Sequence, residues 1–378
     1  MKKLLAIVLV AAMSLSLVAC GPKADGKDDV KPGKVAIITG TVSQGEEEFQ
    51  AAEQMKAKYP DRVVTATYPD NFDKEQETTI SNVVSLVSDP DVKALVFVQA
   101  VPGASAAIAK AREVNPDLVV IAGTAGEDPG VICAAADVVL GTDEIGMGKA
   151  IPEQAKALGA KTFVHYSFAR HLAYATISAR LSIMKTECEK LGLELVEATA
   201  PDPLSEVGLA GAQMFMMEDV PKMIERYGKD TAFFCTNCGL QEPLIKQVVA
   251  GGALYPQPCC PSPYHAFPGA LGVEIPKEKA GDVDFAVEQI KAKVAELGMT
   301  GRMSTWPSPV NMSMVIGATE YLLGWVDAGC DMENKVDMDK LSAALKEAAK
   351  TDVTFSALVL DGTTYDNYLQ MLCGYITF

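Results

Sequence analysis

Basic residues are in short supply in this sequence. Its 33 Lys and Arg stand against 49 Asp and Glu, a formal net charge of −16. A surface with that balance cannot neutralise a phosphate backbone, which excludes nucleic acid as a partner. It also disfavours passive adhesion to anionic lipid. Histidine is scarce at 3 residues and tryptophan at 2, so each is worth placing individually. After the N-terminal stretch there is no second long apolar run, hence no further candidate span. G-x-S-x-G, G-x-x-x-x-G-K-[ST] and H-E-x-x-H are all missing, and the glycine-rich loops lack the dinucleotide fingerprint. Ser, His and Asp are present but nothing groups them. No catalytic residue, no cofactor and no metal are therefore assigned, and the chain is not read as an enzyme.

What is there begins with an address. "MKK" is a short basic start, and "LLAIVLVAAMSLSLVA" is apolar but too short for a confident spanning helix. The stretch closes on "LVAC", Leu17 to Cys20, which resembles the bacterial lipobox. That resemblance implies a lipoprotein signal peptide over 1–19, cleavage before Cys20 and a diacylglycerol thioether on its sulfur. The alternative is an ordinary signal peptide that happens to contain a cysteine. More than one acyl chain, palmitate among them, holds a protein on a membrane far better than one. "GPKADGKDDVKPG" then reads as a flexible tether over 20–33. The expected location is the outer face of the cell membrane, lipid-anchored rather than spanning.

An exported chain permits disulfides. Eight cysteines follow Cys20: Cys133, Cys188, Cys235, Cys238, Cys259, Cys260, Cys330 and Cys373. "CTNC" and "CC" can together make a four-thiolate metal site, but the spacing fits a zinc ribbon only loosely. Cys259 and Cys260 are a poor chelating pair if they lie in a strand, where adjacent side chains face opposite ways. Core or loop thiols and a single disulfide stand as the other readings.

The length and the 49% hydrophobic content suit one large or two medium domains. From Lys34 onward, short Val- and Ile-rich runs alternate with helical patterns. "KVAIIT", "RVVTATY", "VKALVFVQ" and "LVVIAG" read as strands, and "VICAAADVVLG" as one or two more. Continuous apolar runs fit parallel strands covered on both faces. Strands alternating with helices give βαβ units. The cycle restarts at "KTFVHYS" and continues through "LELVEAT" and "TAFFCT". A helix with a break near Pro221 is expected between the last two. The predicted fold class is α/β, two Rossmann-like lobes with parallel sheets joined by a multi-strand hinge. The first lobe is placed at 34–145 plus 306–335 and the second at 146–305 plus 336–378.

The order of motifs resembles the type I periplasmic-binding-protein superfamily, which includes ribose- and nucleoside-type solute-binding proteins and LacI-like effector domains. "LGTDEIGMGKAIPEQAKALGAKTFVHYS", "SFARHLAYATISARLSIMKTECEKLGLEL", "AFFCTNCGLQEPLIKQVVAGGA" and "STWPSPVNMSMVIGATEYLLGWVDAG" carry the likeness in that order. "CTNCG", the proline-rich "PQPCCPSPYHAFPGALG" and an extra helix in "AGDVDFAVEQIKAKVAELG" depart from it. These departures also fit a separate family of Firmicutes lipoproteins on the same fold, which leaves the ligand open.

In paired open sheets, the loops at the carboxyl ends of the strands line one cleft. Those loops supply the expected ligand-binding set: Ser43, Gln44, Phe49, Gln99, Thr124, Phe168, Arg170, Asn237, His265 and Trp306. By resemblance, Arg170 takes the place of the family's ligand-gripping arginine and Asn237 that of its asparagine, with Gln99 or Thr124 serving the first lobe. A guanidinium fork suits vicinal hydroxyls or a carboxylate. Aromatic faces suit sugar or base rings. Each has a plainer reading too. Arg170 can pair with a nearby acid, Trp306 can pack the hinge, His165 inside its strand can be core, and Asp143 can cap the following helix. "EEE" at 46–48 reads as a helix start, and "MFMM" as core. The resemblance implies capture of a small polar solute, sugar- or nucleoside-like, for an ABC-type permease. A ligand-sensing lipoprotein serving a membrane receptor is the alternative, followed by a cysteine-based metal or redox protein.

Overall fold

The computed structural model describes residues 33–378. The expected leader, Cys20 and the tether up to residue 32 lie outside the described residues, as does the side chain of Gln44. Strands β1 (Lys34–Thr39), β2 (Val63–Thr67), β3 (Val92–Val98), β4 (Val119–Gly123) and β5 (Val138–Thr142) alternate with helices and pair in parallel. Consecutive residues bury on opposite faces. Val35, Ile37, Ala94 and Val96 join one core, and Ala36, Ile38, Leu95 and Phe97 join another. That two-sided burial is why the runs are apolar throughout. Each fully buried aliphatic side chain contributes about 1.5–3 kcal/mol.

A second parallel sheet follows, with β6 (Thr162–Ser167) between β7 (Glu194–Thr199) and β8 (Thr231–Cys235). Two short strands, β9 (Ser304–Thr305) and β12 (Ile376–Thr377), pair antiparallel. The chain passes between the sheets at Asp143, again between β9 and the helix Val310–Asp327, and finally just before β12. Asp143 caps the helix Glu144–Ala157 by accepting from the Gly146 N–H at 2.7 Å. That helix packs closely on the helix Ala175–Leu191. A Cβ on Gly148 would lie 2.9 Å from the Arg180 carbonyl oxygen, so the approach requires glycine.

The placement of 336–378 in the second lobe is corrected. Strands β10 (Val353–Leu360) and β11 (Thr363–Cys373) extend the first sheet, whose order is β10-β11-β5-β4-β3-β1-β2. β11 lies parallel to β5, from Tyr368 opposite Val139 to Met371 opposite Thr142. Its buried stretch 368–371 covers an edge of β5 that would otherwise expose unpaired backbone and apolar side chains. Only β12 returns toward the second sheet.

Three local expectations also change. "VICAA" is helical, within Pro129–Ala135, because Asp128 caps it and Pro129 opens it. The helix Gly208–Tyr227 runs through Pro221 unbroken. The carbonyl that loses its N–H partner there belongs to Met217, on the exposed face of the helix. Within "MFMM", Met216 is core, but Met214 and Met217 are exposed.

Candidate cleft between the two sheets

A cavity of about 800 Å³ lies between the lobes, within the range of small-molecule sites. Its wall comes from segments that follow strands of both sheets. Glu47, Gln99, Thr124 and Thr142 belong to the first lobe, and Arg170, Thr236, Asn237 and His265 to the second. The sequence-derived residues divide on this point. Ser43, Gln99, Thr124, Arg170, Asn237 and His265 line the cavity, while Phe49, Phe168 and Trp306 do not.

Trp306 is fully buried. It belongs to a core cluster that holds residues of both sheets, Val96 and Phe163 among them. Its position at the crossing is as expected, but the ring packs the hinge rather than facing a ligand. Phe168 is also buried. Its ring lies 4.2 Å from that of His171 and 5.2 Å from the Arg170 guanidinium carbon, so it supports those two from behind. Phe49 is half-buried on its helix, away from the wall.

The polar wall is tied together. On the first-lobe side Glu48 is almost wholly buried. It accepts from the Gln99 side-chain amide at 3.0 Å and from the Asn311 amide. Asn311 in turn accepts from the Thr124 hydroxyl at 2.8 Å. Thr124 holds a left-handed backbone, φ 47°, a conformation that costs about 1–3 kcal/mol and persists only where the surroundings hold it. A Cβ on Gly45 would fall 2.6 Å from a Glu48 carboxylate oxygen, so a larger residue there would push that side chain aside. The helix Val42–Lys58 kinks at Gly45, and Glu46–Glu48 open its second section, as a helix start should. Burial raises the carboxyls of Glu47, Glu48 and Glu144 above the ordinary range. Ser43 donates to Asp70 at 2.7 Å.

On the second-lobe side Arg170 grips Asp202 through two bonds of 2.9 Å, from Nε and Nη2. That bidentate pair occupies one edge of the fork, as the pairing alternative anticipated. Asn237 accepts from the Gly239 N–H at 3.0 Å, closing the turn after β8. His171 meets the Thr236 hydroxyl at 3.1 Å, and burial together with Arg170 depresses its pKa to about 4. His165 is core, as expected, and burial holds its pKa near 3.

Sequence reasoning missed Glu48, Asn311, Glu144 and Arg180. Arg180 is buried, lies over the Phe234 ring at 5.1 Å, pairs with Glu144 and borders the cavity. One signal was available for it. Arg180 shares a helical stripe with Met184 and Cys188, both apolar and buried, and a charge on such a stripe points to a partner.

Comparison with known proteins fits this geometry. A Treponema pallidum (strain Nichols) protein called "Uncharacterized protein" is 36% identical over 172 residues, 46% of this chain and 80% of its own. A Clostridium difficile 630 structure described as a "Putative transcriptional regulator" superposes with TM-score 0.76 at 25% identity, covering 92% of this chain and 99% of that one. An Actinobacillus succinogenes 130z ABC transporter periplasmic solute binding protein with bound D-allose superposes with TM-score 0.51 at 13% identity, over 78% and 92% of the two chains. The likeness establishes the type I periplasmic-binding-protein fold. Residues 34–304, most of the chain, match the family described as "Protein of unknown function (DUF3798)", and the protein is a member of that family.

Proposed function

We propose that this is an extracytoplasmic solute-binding protein that captures a small polar solute, sugar- or nucleoside-like, between its lobes and presents it to an ABC-type permease. The observation that carries the reading is the cavity of about 800 Å³ whose polar wall is drawn from both sheets. Two walls on separate lobes can close on a guest only if the guest binds the closed form better. The solved relative that holds D-allose supports the sugar class. In this reading Gln99, Thr124, Arg170, Asn237 and His265 contact the solute, with Arg180 and Glu144 behind them. Cys20 carries the lipid that keeps the protein at the membrane. A thermal-shift panel of sugars and nucleosides, followed by calorimetry, tests it. At least one member raises Tm, with a shift that grows with the logarithm of ligand concentration above Kd. A panel in which none does so contradicts the sugar and nucleoside assignment.

A second reading, in which the captured solute is sensed by a membrane receptor, is favoured by the likeness to the Clostridium difficile 630 protein. Uptake of labelled solute in cells lacking the chain separates the two. Transport predicts lost uptake, and sensing predicts uptake unchanged.

A further inference from the structure

Three cysteines and a histidine meet in the second-lobe wall. Cys238 opens the single 3-10 turn after β8, and Cys259 and Cys260 lie in the irregular proline-rich segment after Tyr255. Because that segment is not a strand, the two adjacent thiols are not forced to opposite sides. The Cys238 sulfur is 3.3 Å from that of Cys259 and 3.7 Å from that of Cys260. Ligand atoms of Cys238, Cys260 and His265 all lie within 4.8 Å of one another. All four residues border the cavity.

We propose that Cys238, Cys260 and His265 form a three-donor binding site for a borderline-soft transition-metal ion of the zinc class. Zinc–sulfur bonds of about 2.3 Å in a tetrahedron put neighbouring sulfurs about 3.8 Å apart. The Cys238–Cys260 separation is already close to that edge, so these two sulfurs need little movement. Thiolate and imidazole select zinc-class or cuprous ions and disfavour calcium and magnesium, which take oxygen ligands. Metal ligation requires the thiols to give up their protons, so binding is expected to strengthen as pH rises. Cys238 and Cys260 line the cleft beside His265, so a three-coordinate ion would offer its open position to the cavity. The site shares His265 and the cavity with the sugar or nucleoside reading, but its thiol donors lie outside the solute set, so metal binding by the solute-free chain is read separately from solute binding.

The test is a titration of the full chain, reduced with a phosphine and stripped of metal with a chelator, using Co²⁺ and then Zn²⁺. One equivalent of Co²⁺ gives the visible bands of a tetrahedral site with a thiolate charge-transfer band, and one equivalent of Zn²⁺ abolishes them. The double variant Cys238→Ser/Cys260→Ser loses these bands. His265→Ala weakens zinc by more than the about 10- to 100-fold that loss of an outer-shell partner costs. Cys188→Ser, in the core elsewhere, leaves them unchanged. Far-UV circular dichroism confirms that each variant is folded, and His265→Ala, on a half-buried residue, keeps the test open if the double variant is not. No spectrum with Co²⁺, a spectrum that survives the double variant, or a Cys238–Cys259 disulfide whose reduction restores no metal binding overturns the site.

Discussion

Ser262 donates its hydroxyl to the Glu47 carboxylate across the gap between the lobes. Glu47 rides on the helix after β1, and Ser262 sits in the proline-rich segment of the second lobe. The bond ties the two lobes together at the edge of the cavity. Ser262→Ala removes it without touching either sheet. A hydrogen bond of this kind is worth about 1 kcal/mol, so the variant binds its solute several-fold more weakly. It also shows a larger radius of gyration by small-angle scattering. Scattering identical to wild type would show that the contact does not hold the lobes together.

Glu48 anchors the first-lobe wall. Its removal in Glu48→Ala strands the buried Asn311 amide and releases Gln99. An unsatisfied buried donor costs about 1–3 kcal/mol. The urea midpoint should fall accordingly with the slope unchanged. An unchanged midpoint would mean that the network contributes nothing to folding.

His165 makes stability depend on pH. Burial, then the nearby Arg180 charge, lower its folded pKa to about 3, against about 6.5 when unfolded. Between those values the unfolded chain binds a proton that the folded chain refuses. Its contribution is therefore complete above pH about 6.5 and is lost as pH falls toward 3, by about 1.4 kcal/mol per unit. The raised carboxyls of Glu47, Glu48 and Glu144 titrate with the opposite sign. The difference between wild type and His165→Phe isolates the histidine. Urea unfolding at pH 6.5 and 5 should show a shallower fall in the variant, and parallel falls would contradict the linkage.

Asp143 caps the helix at the first crossing between lobes. Asp143→Ala leaves the Gly146 N–H without its acceptor and costs about 1 kcal/mol. Thermal unfolding of the ligand-free protein reads it as a Tm lower by a few degrees. An unchanged Tm would show the cap to be replaced by water without loss.

Much of the fold was legible because its signals are local. Val35 to Ile38 and Ala94 to Phe97 bury on alternating faces, and such strands announce themselves as unbroken apolar runs. β10 and β11 were misplaced for the opposite reason. "VTFSALVL" mixes polar and apolar positions because it forms the sheet edge. Which sheet the two strands join is set by the pairing of β11 with β5, more than two hundred residues earlier in the chain. The cleft was partly legible, since strand order names the loops that reach it. It does not name the side-chain direction, so Trp306 and Phe168 turned out to be packing. Glu48 and Asn311 sit far apart in sequence and become one network only when the first helix and the helix Val310–Asp327 meet. The thiol cluster was discounted on strand geometry that the proline-rich segment does not adopt.

The central claim is that one solute is held by both lobes at once. Calorimetry of the solute found by thermal shift, against Gln99→Ala and Arg170→Ala, tests it most directly. The account predicts that each substitution, one per lobe, weakens binding by about tenfold or more, equivalent to about 1.4 kcal/mol, while both variants stay folded. Wild-type affinity in both would place the solute outside the cleft and contradict it.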